Sequence, residues 1–204
     1  KRQSYDFEGR GYAGNINSLF AKNLYEFKDK IYTIGFVLTS PAIKNFIEGE
    51  DPFFEKIKDD FTLYFDYYVP EETKCDELMQ SDQELYDAFV YAATHYPNVY
   101  PVRDWLENKE NKMTCYSLNK ITILPDGKQV TCRYLSYKEG SFKNPIDYKS
   151  NANIVTSYIE KHNCLSCKHY DRCSFRCFVQ ADWVKREEMP GCLYAKFFDA
   201  MELE

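Results

Sequence analysis

Seven of the eight cysteines of this 204-residue chain fall in its last ninety residues, and their spacing constrains the fold more than any other feature. The densest run is Cys164-x2-Cys167-x5-Cys173-x3-Cys177, and Cys192 follows it. Thiols with two residues between them suit a shared metal better than two separate disulfides. Nothing in the sequence indicates secretion, which is where disulfides form. The run therefore predicts a metal site, with disulfides as the alternative.

The number of cysteines bears on which metal they hold. Zinc needs four ligands in a compact tetrahedron, which would leave three of these seven cysteines without a role. Two four-iron clusters need up to eight thiolates, which is close to what the chain has. A thiolate-bound cluster carries negative charge that nearby cations must offset. Residues 161–186 have six basic and two acidic side chains, although the whole chain has a formal net charge of −6. This region therefore predicts iron–sulfur binding.

Helices and strands alternate in the first two-thirds of the chain. Apolar residues at helical spacing predict helices over residues 16–27 and from Ser81, where Glu84 completes a capping-box pattern. A polar stretch over about residues 42–59 is also predicted to be helical. Segments rich in β-branched and aromatic residues, apolar on both faces where they are longest, predict strands or extended chain over Ile31–Leu38, Phe61–Val69 and Val99–Val102. This order is typical of a parallel α/β layer. Two or three strands cannot close a barrel, so we expect a larger α/β unit.

The sequence pattern changes after Cys115. Residues 121–124, an Asp126-Gly127 turn and residues 129–132 predict a β-hairpin that holds Cys132 on a strand. Residues 153–161 have a helical pattern. No ordinary core pattern follows, so we expect that thiolates bonded to iron take the place of a hydrophobic interior beyond residue 115.

Charge and hydropathy exclude two classes of partner. The sequence pI is near 5.2 and no block of like charge stands out, which argues against nucleic-acid binding. No apolar run approaches a membrane span and the N-terminus lacks a signal-peptide pattern. We therefore predict a cytoplasmic protein with neither nucleic-acid nor membrane partners. The chain begins at Lys1 without a methionine, so we expect a further segment upstream.

The cysteine pattern resembles a known family. Cys115-x11-Gly127-x4-Cys132, the run from Cys164 to Cys177 and the final Cys192 resemble the seven-cysteine SPASM motif of radical SAM enzymes. Residues 6–10, the helix ending near residue 28 and the strand over residues 33–39 are similar to that family's barrel after its fourth strand. The resemblance implies an α/β fold class, with a partial radical SAM-type (β/α) barrel over residues 1–110. A loop-rich, cysteine-dense SPASM domain containing the hairpin would occupy residues 111–204.

The resemblance also implies the cofactors and their ligands, which are two auxiliary [4Fe–4S] clusters. The outer cluster would be held by Cys164, Cys167, Cys173 and Cys192. The inner cluster would be held by Cys115, Cys132 and Cys177. The inner cluster then lacks a fourth cysteine, and three fates are open for that iron site. It is open to substrate or solvent, held by Cys75, or held by a non-cysteine ligand such as Asp126.

One part of the family pattern is absent. The Cys-x3-Cys-x2-Cys segment, whose cluster cleaves S-adenosylmethionine, does not occur in this sequence. Arg10 is the candidate for the family arginine that contacts the methionyl carboxylate, and a plain surface arginine is the alternative. Its spacing from Asp6 is Asp-x3-Arg, where the family has Asp-x2-Arg. S-adenosylmethionine would therefore bind only together with the missing N-terminal barrel segment or a partner chain that supplies it.

The function predicted by this resemblance is the C-terminal portion of an enzyme that modifies a peptide or protein substrate. Its clusters would accept or relay the electron that is left after hydrogen abstraction, or ligate the substrate at an open iron. An electron donor would be a further partner. The alternatives are a non-catalytic electron-transfer or scaffold subunit and, third, a zinc-binding structural domain. No catalytic residue is predicted. His95 is expected at a helix terminus, and His162 and His169 are expected to have structural roles beside the cysteines.

Overall fold

A computed structural model describes residues 23–48, 57, 59–68, 76–96, 98–107, 122–127, 129–130, 159–173 and 191–202. The chain divides into two compact units. The first comprises residues 1–68, 76–108 and 187–204, and the second comprises residues 69–75 and 109–186. The predicted domains, 1–110 and 111–204, stay a prediction, as do the barrel and the SPASM domain.

Two parallel strands, β1 (Thr33–Leu38) and β2 (Thr62–Tyr67), form the centre of the first unit. Their register pairs Ile34 with Leu63 and Phe36 with Phe65, and all four side chains are buried. The alternate residues of β1 are partly or fully exposed. The sequence predicted strands that are apolar on both faces, whereas β1 has the alternating burial of a strand with one covered face.

Tyr100 continues the sheet beyond β2. Its N–H donates to the Leu63 carbonyl at 2.8 Å, and its own carbonyl accepts from the Phe65 N–H at 2.9 Å. The extended segment predicted over Val99–Val102 is therefore confirmed at Tyr100. It is wrong at Val102, where a short helix begins, α3 in chain order (Val102–Leu106).

One helix follows each of these strands in the chain. Helix α1 (Ser40–Ile47) is capped by Thr39, whose hydroxyl accepts from the Ala42 N–H at 3.3 Å. It ends at Ile47, short of the predicted limit of residue 59, but Ile57 is also helical, and residues 59–60 form a turn. Helix α2 (Asp82–His95) has the predicted capping box: the Ser81 hydroxyl accepts from the Glu84 N–H, and the Glu84 carboxylate accepts from the Ser81 N–H. That prediction is confirmed.

Aromatic side chains fill the core of the first unit. The Phe46 ring on α1 lies 5.7 Å from the rings of Phe36 and Phe65, which joins the helix to both strands. Phe89 on α2 makes an edge contact with Trp105 at 5.1 Å between ring centroids. Such contacts add about 0.5–1.5 kcal/mol each beyond area burial, and they hold α2 and α3 together.

The last helix, α4 (Leu193–Glu202), also belongs to this core. It buries Leu193, Tyr194, Phe197 and Phe198. The Tyr194 hydroxyl lies 2.6 Å from the hydroxyl of Tyr67 on β2. The expectation that bonds to iron replace a hydrophobic interior beyond residue 115 is therefore wrong for this helix, because its aromatic face is buried against α2 and α3.

The second unit contains the predicted hairpin, formed by β3 (Thr122–Ile123) and β4 (Gln129–Val130) in antiparallel pairing. The Gly127 N–H donates to the Leu124 carbonyl at 2.9 Å, and Gly127 has φ +82°. Pro125 at the second position of such a turn and a left-handed glycine at its end fit a three-residue hairpin loop. Residues 159–161 are helical, as predicted. No helix in the described ranges of either unit has the length and apolar character to cross a bilayer.

Candidate metal centre

The cysteine-rich stretch of the second unit begins with a tight turn. Residues Cys164–Ser166 form one turn of 3₁₀ helix, entered through Asn163 in the left-handed conformation (φ 50°, ψ 39°). Asparagine tolerates this conformation better than most residues. The Cys167 N–H donates to the Cys164 carbonyl at 2.9 Å, and Cys167 itself is extended (φ −80°, ψ 128°). The two cysteines therefore stand at either end of one closed turn.

A second turn repeats the arrangement six residues later. Residues Tyr170–Arg172 form another 3₁₀ turn, and the Cys173 N–H donates to the Tyr170 carbonyl at 3.3 Å. Cys173 has φ −80° and ψ 121°, nearly the conformation of Cys167. The Tyr170 N–H donates to the Cys167 carbonyl at 3.1 Å, which joins the two turns. Cys167 and Cys173 thus occupy equivalent positions in consecutive turns.

The local backbone explains why this stretch can hold its shape without a buried side-chain face. Three successive backbone hydrogen bonds link residues three apart in this stretch. The carbonyls of Cys164, Cys167 and Tyr170 are the acceptors. A further side-chain bond joins the Ser166 hydroxyl to the Asn163 side-chain oxygen at 3.1 Å. Leu165, at the tip of the first turn, is 72% exposed. Backbone hydrogen bonding, rather than apolar burial, therefore sets the backbone spacing of the three cysteines. Within the described residues their sulfur atoms do not form a group of three ligands within 4.8 Å of one another.

The chemical state of the described cysteines fits metal ligation. Cys164, Cys167 and Cys173 are partly exposed and Cys192 is exposed; none of these four, the cysteines within the described ranges, is in a disulfide. Thiols that bind metals or react lie in partly exposed sites, whereas purely structural thiols are usually buried. The disulfide alternative is therefore disfavoured for this part of the motif.

Basic side chains accompany these turns. Lys161 and Lys168 are exposed. An Arg172 guanidinium N–H donates to Nδ1 of His169 at 2.7 Å, and His169 is buried. Since a guanidinium has no acceptor, Nδ1 is the unprotonated nitrogen and the imidazole proton lies on Nε2. The pair places a permanent positive charge one residue before Cys173, which can offset the charge of a thiolate-bound cluster.

Cys192 lies in the first unit, at the start of α4. Gly191 before it has φ +84°, a conformation that glycine adopts readily. The Lys196 N–H donates to the Cys192 carbonyl at 3.1 Å, so Cys192 caps the first turn of the helix. Leu193 and Tyr194 directly after it are buried. The aromatic core of the first unit thus fixes the backbone that carries this thiol.

Several predicted site residues lie outside the described residues. These are Arg10, Cys75, Cys115, Cys132 and Cys177. Asp126, the non-cysteine alternative for the inner cluster, is in the hairpin turn and exposed. Among the described ligands, the structure places three on the paired turns and Cys192 on α4. His95 is the last residue of α2, which confirms its prediction as a helix-terminus residue.

The sequence reasoning missed α4 as the support of Cys192. Its signal was present, because Leu193, Tyr194, Phe197 and Phe198 recur at the spacing of one helical face. The equivalence of the two cysteine turns was also missed. It depends on the left-handed Asn163, which the cysteine spacing alone does not indicate.

Comparisons with models of protein families, with curated proteins and with solved structures find no match to this chain.

Proposed function

We propose that this chain is the iron–sulfur-binding C-terminal portion of a radical SAM enzyme with a SPASM domain, one that modifies a peptide or protein substrate. The observation that carries the proposal is the pair of equivalent turns that present Cys164, Cys167 and Cys173 outside any disulfide. The cysteine spacing, which resembles the motif of that family, supports the same proposal.

The donor set fits an iron–sulfur cluster better than most other metals. Thiolates are the ligands of iron–sulfur clusters, and each [4Fe–4S] cluster needs about four of them. In the proposal the outer cluster uses Cys192 besides the three thiols of the turns, and the inner cluster uses Cys115, Cys132 and Cys177. When bound, these clusters would supply one-electron transfer, or an iron site that ligates substrate.

The chain's own residues have separate tasks in this proposal. The two 3₁₀ turns constrain the backbone around three cysteines, which lowers the chain entropy that is lost when their thiols converge on a metal. Arg172 supplies positive charge next to Cys173 and orients His169. Helix α4 anchors the backbone of Cys192 by burying Phe197 and Phe198. The hairpin holds β4, and Cys132 follows it by two residues in the sequence.

Single cysteine variants test this assignment. After anaerobic reconstitution with iron and sulfide, Cys167→Ser and Cys173→Ser should each lose about four irons per chain, one cluster's content. Leu165→Ala, which changes an exposed side chain between two of the proposed ligands, is the matched control and should retain full loading. Iron analysis, and electron paramagnetic resonance of the reduced chain, measure the outcome. Full iron content in both cysteine variants would contradict the ligand assignment.

A separate observation distinguishes an enzyme from a non-catalytic electron-transfer or scaffold subunit. A Cys-x3-Cys-x2-Cys segment in the coding sequence upstream of Lys1 would supply the cluster that cleaves S-adenosylmethionine, and the joined chain should then cleave it reductively. A start codon directly before Lys1 would favour the non-catalytic subunit, which would need a partner chain for any radical chemistry. Zinc bound by four thiolates of the chain, with no iron present, would instead identify a structural zinc domain.

A further inference from the structure

A cleft of about 250 Å³ opens on the first unit, between the end of α2 and the start of β2. Its floor is apolar: Phe61, Tyr96 and Val99 line it and are each at least nine-tenths buried. Its rim is polar and exposed, formed by Asp59, His95 and Asn98. An apolar pocket with a few convergent polar groups is the usual form of a small-ligand site.

The His95 ring is held in one orientation. It stacks on the Tyr91 ring with 4.1 Å between centroids and 17° between planes. Its Nδ1 lies 2.7 Å from the Thr94 hydroxyl and 3.1 Å from the Tyr91 carbonyl oxygen. A carbonyl oxygen only accepts, so Nδ1 carries the proton of the neutral ring. Nε2 is then the nitrogen with a lone pair, and it can accept a hydrogen bond from a ligand.

The Asp59 carboxylate on the same rim also accepts hydrogen bonds. Two carboxylates are adjacent in the turn before β2, but they differ in their partners. Asp60 accepts hydrogen bonds from Lys28 and Tyr25, whereas within the described residues no basic side chain pairs with Asp59. The carbonyl end of α2, which carries partial negative charge, lies at the same rim. The electrostatics of this rim therefore favour a cation.

An organic cation fits the cleft better than a metal ion. Metal sites need several ligands within reach of one another. In the part of the chain that the structure describes, Asp59 and His95 do not belong to a group of three or more such ligands. The apolar floor, by contrast, suits a hydrocarbon stem, and the Tyr96 ring can attract an ammonium group. The Phe61 ring already has the Lys28 Nζ at 5.7 Å from its centroid.

We propose that this cleft binds an alkylammonium group, with its stem on the apolar floor and its N–H groups directed to the Asp59 carboxylate and His95 Nε2. The chemistry is shared by a free small amine and by a lysine side chain of a peptide. This inference does not depend on the cysteine site or on the proposed function.

Titration of the full chain with n-butylammonium, followed by amide chemical shifts, tests the proposal. The amides of Tyr96 and Val99 should shift, and that of Gly127 in the hairpin should not. The isosteric neutral probe, 1-butanol, should bind more weakly. Asp59→Asn should weaken n-butylammonium binding about threefold to fivefold, the effect of losing one exposed ion pair. Glu77→Gln, which changes an exposed carboxylate that does not line the cleft, is the matched control and should bind as the wild type does.

A second variant and a peptide arm complete the test. His95→Leu should weaken binding, and His95→Gln should retain more of it by restoring an acceptor. Acetyl-Gly-Lys-Gly-amide binding as tightly as n-butylammonium identifies a peptide lysine as the ligand; binding of the free amine alone identifies a small amine. Equal affinity for 1-butanol and n-butylammonium, or unchanged affinity in Asp59→Asn, would overturn the proposal.

Discussion

Replacement of Phe197 by alanine should detach α4 from the core that anchors Cys192. Phe197 is fully buried, and its ring lies 5.4 Å from Trp105, 5.6 Å from Phe198 and 6.1 Å from Phe89. Removing a buried phenylalanine costs its transfer free energy and leaves a cavity, together about 3–5 kcal/mol. Since small domains are stable by only about 5–15 kcal/mol, much of the stability of the first unit would be lost.

Urea unfolding of the metal-free, reduced chain measures this loss, because the fluorescence of Trp105 reports on the same cluster. Lys196→Ala, on the same helix but not in the aromatic cluster, is the matched control and should change the free energy of unfolding by less than about 0.5 kcal/mol. A loss below about 1 kcal/mol in Phe197→Ala, or a loss equal to that of the control, would refute the view that packing anchors this helix.

Three further perturbations have defined outcomes. Ser81→Ala should lower the free energy of unfolding by about 1 kcal/mol, because it removes the cap of α2, while Ser81→Asp should retain most of it; equal thermal midpoints for both variants would contradict this. Gly127→Ala adds a Cβ that meets nothing within 4 Å, but φ +82° should cost about 1 kcal/mol, measured as faster hydrogen exchange of the hairpin amides; unchanged exchange would argue against the turn. Hydrogen bonds from Lys28 and then Tyr25 lower the pKa of the exposed Asp60 carboxyl, so its stabilising effect is present above the ordinary aspartate pKa and is lost as pH falls through the lowered pKa. The difference in urea midpoint between wild type and Asp60→Asn should therefore shrink below about pH 4 and in high salt, and a pH-independent difference would contradict the ion pair.

Local signals in the sequence predicted much of the fold. Ser81 and Glu84 form their capping box because both partners lie within one turn of chain. The strands around Phe36 and Phe65 were predicted from β-branched and aromatic content, and the hairpin from Asp126-Gly127. Each of these depends on neighbours in the sequence. The limits of α1 were less well predicted: the sequence indicates one polar helical stretch to about residue 59, whereas α1 ends at Ile47 and Ile57 is again helical.

Features that depend on distant residues were not predicted. Helix α4 takes its stability from Phe89 and Trp105, about a hundred residues earlier in the chain, and its apolar face was hidden behind the cysteine pattern. Asp59 and His95 both line the cleft although β2 and α2 separate them in the sequence. No motif marks either residue. Cysteine spacing indicated the candidate metal ligands. The matched turns of Cys167 and Cys173, however, follow from backbone hydrogen bonds that the spacing does not specify.

The most direct test of the central claim is the iron and acid-labile sulfide content of the wild-type chain after anaerobic reconstitution. If the cysteines beyond residue 115 hold two four-iron clusters, both values should approach about eight per chain, with the absorption and resonance spectra of [4Fe–4S] centres. Zinc in place of iron, or seven thiols that form disulfides under the same reducing conditions, would contradict it.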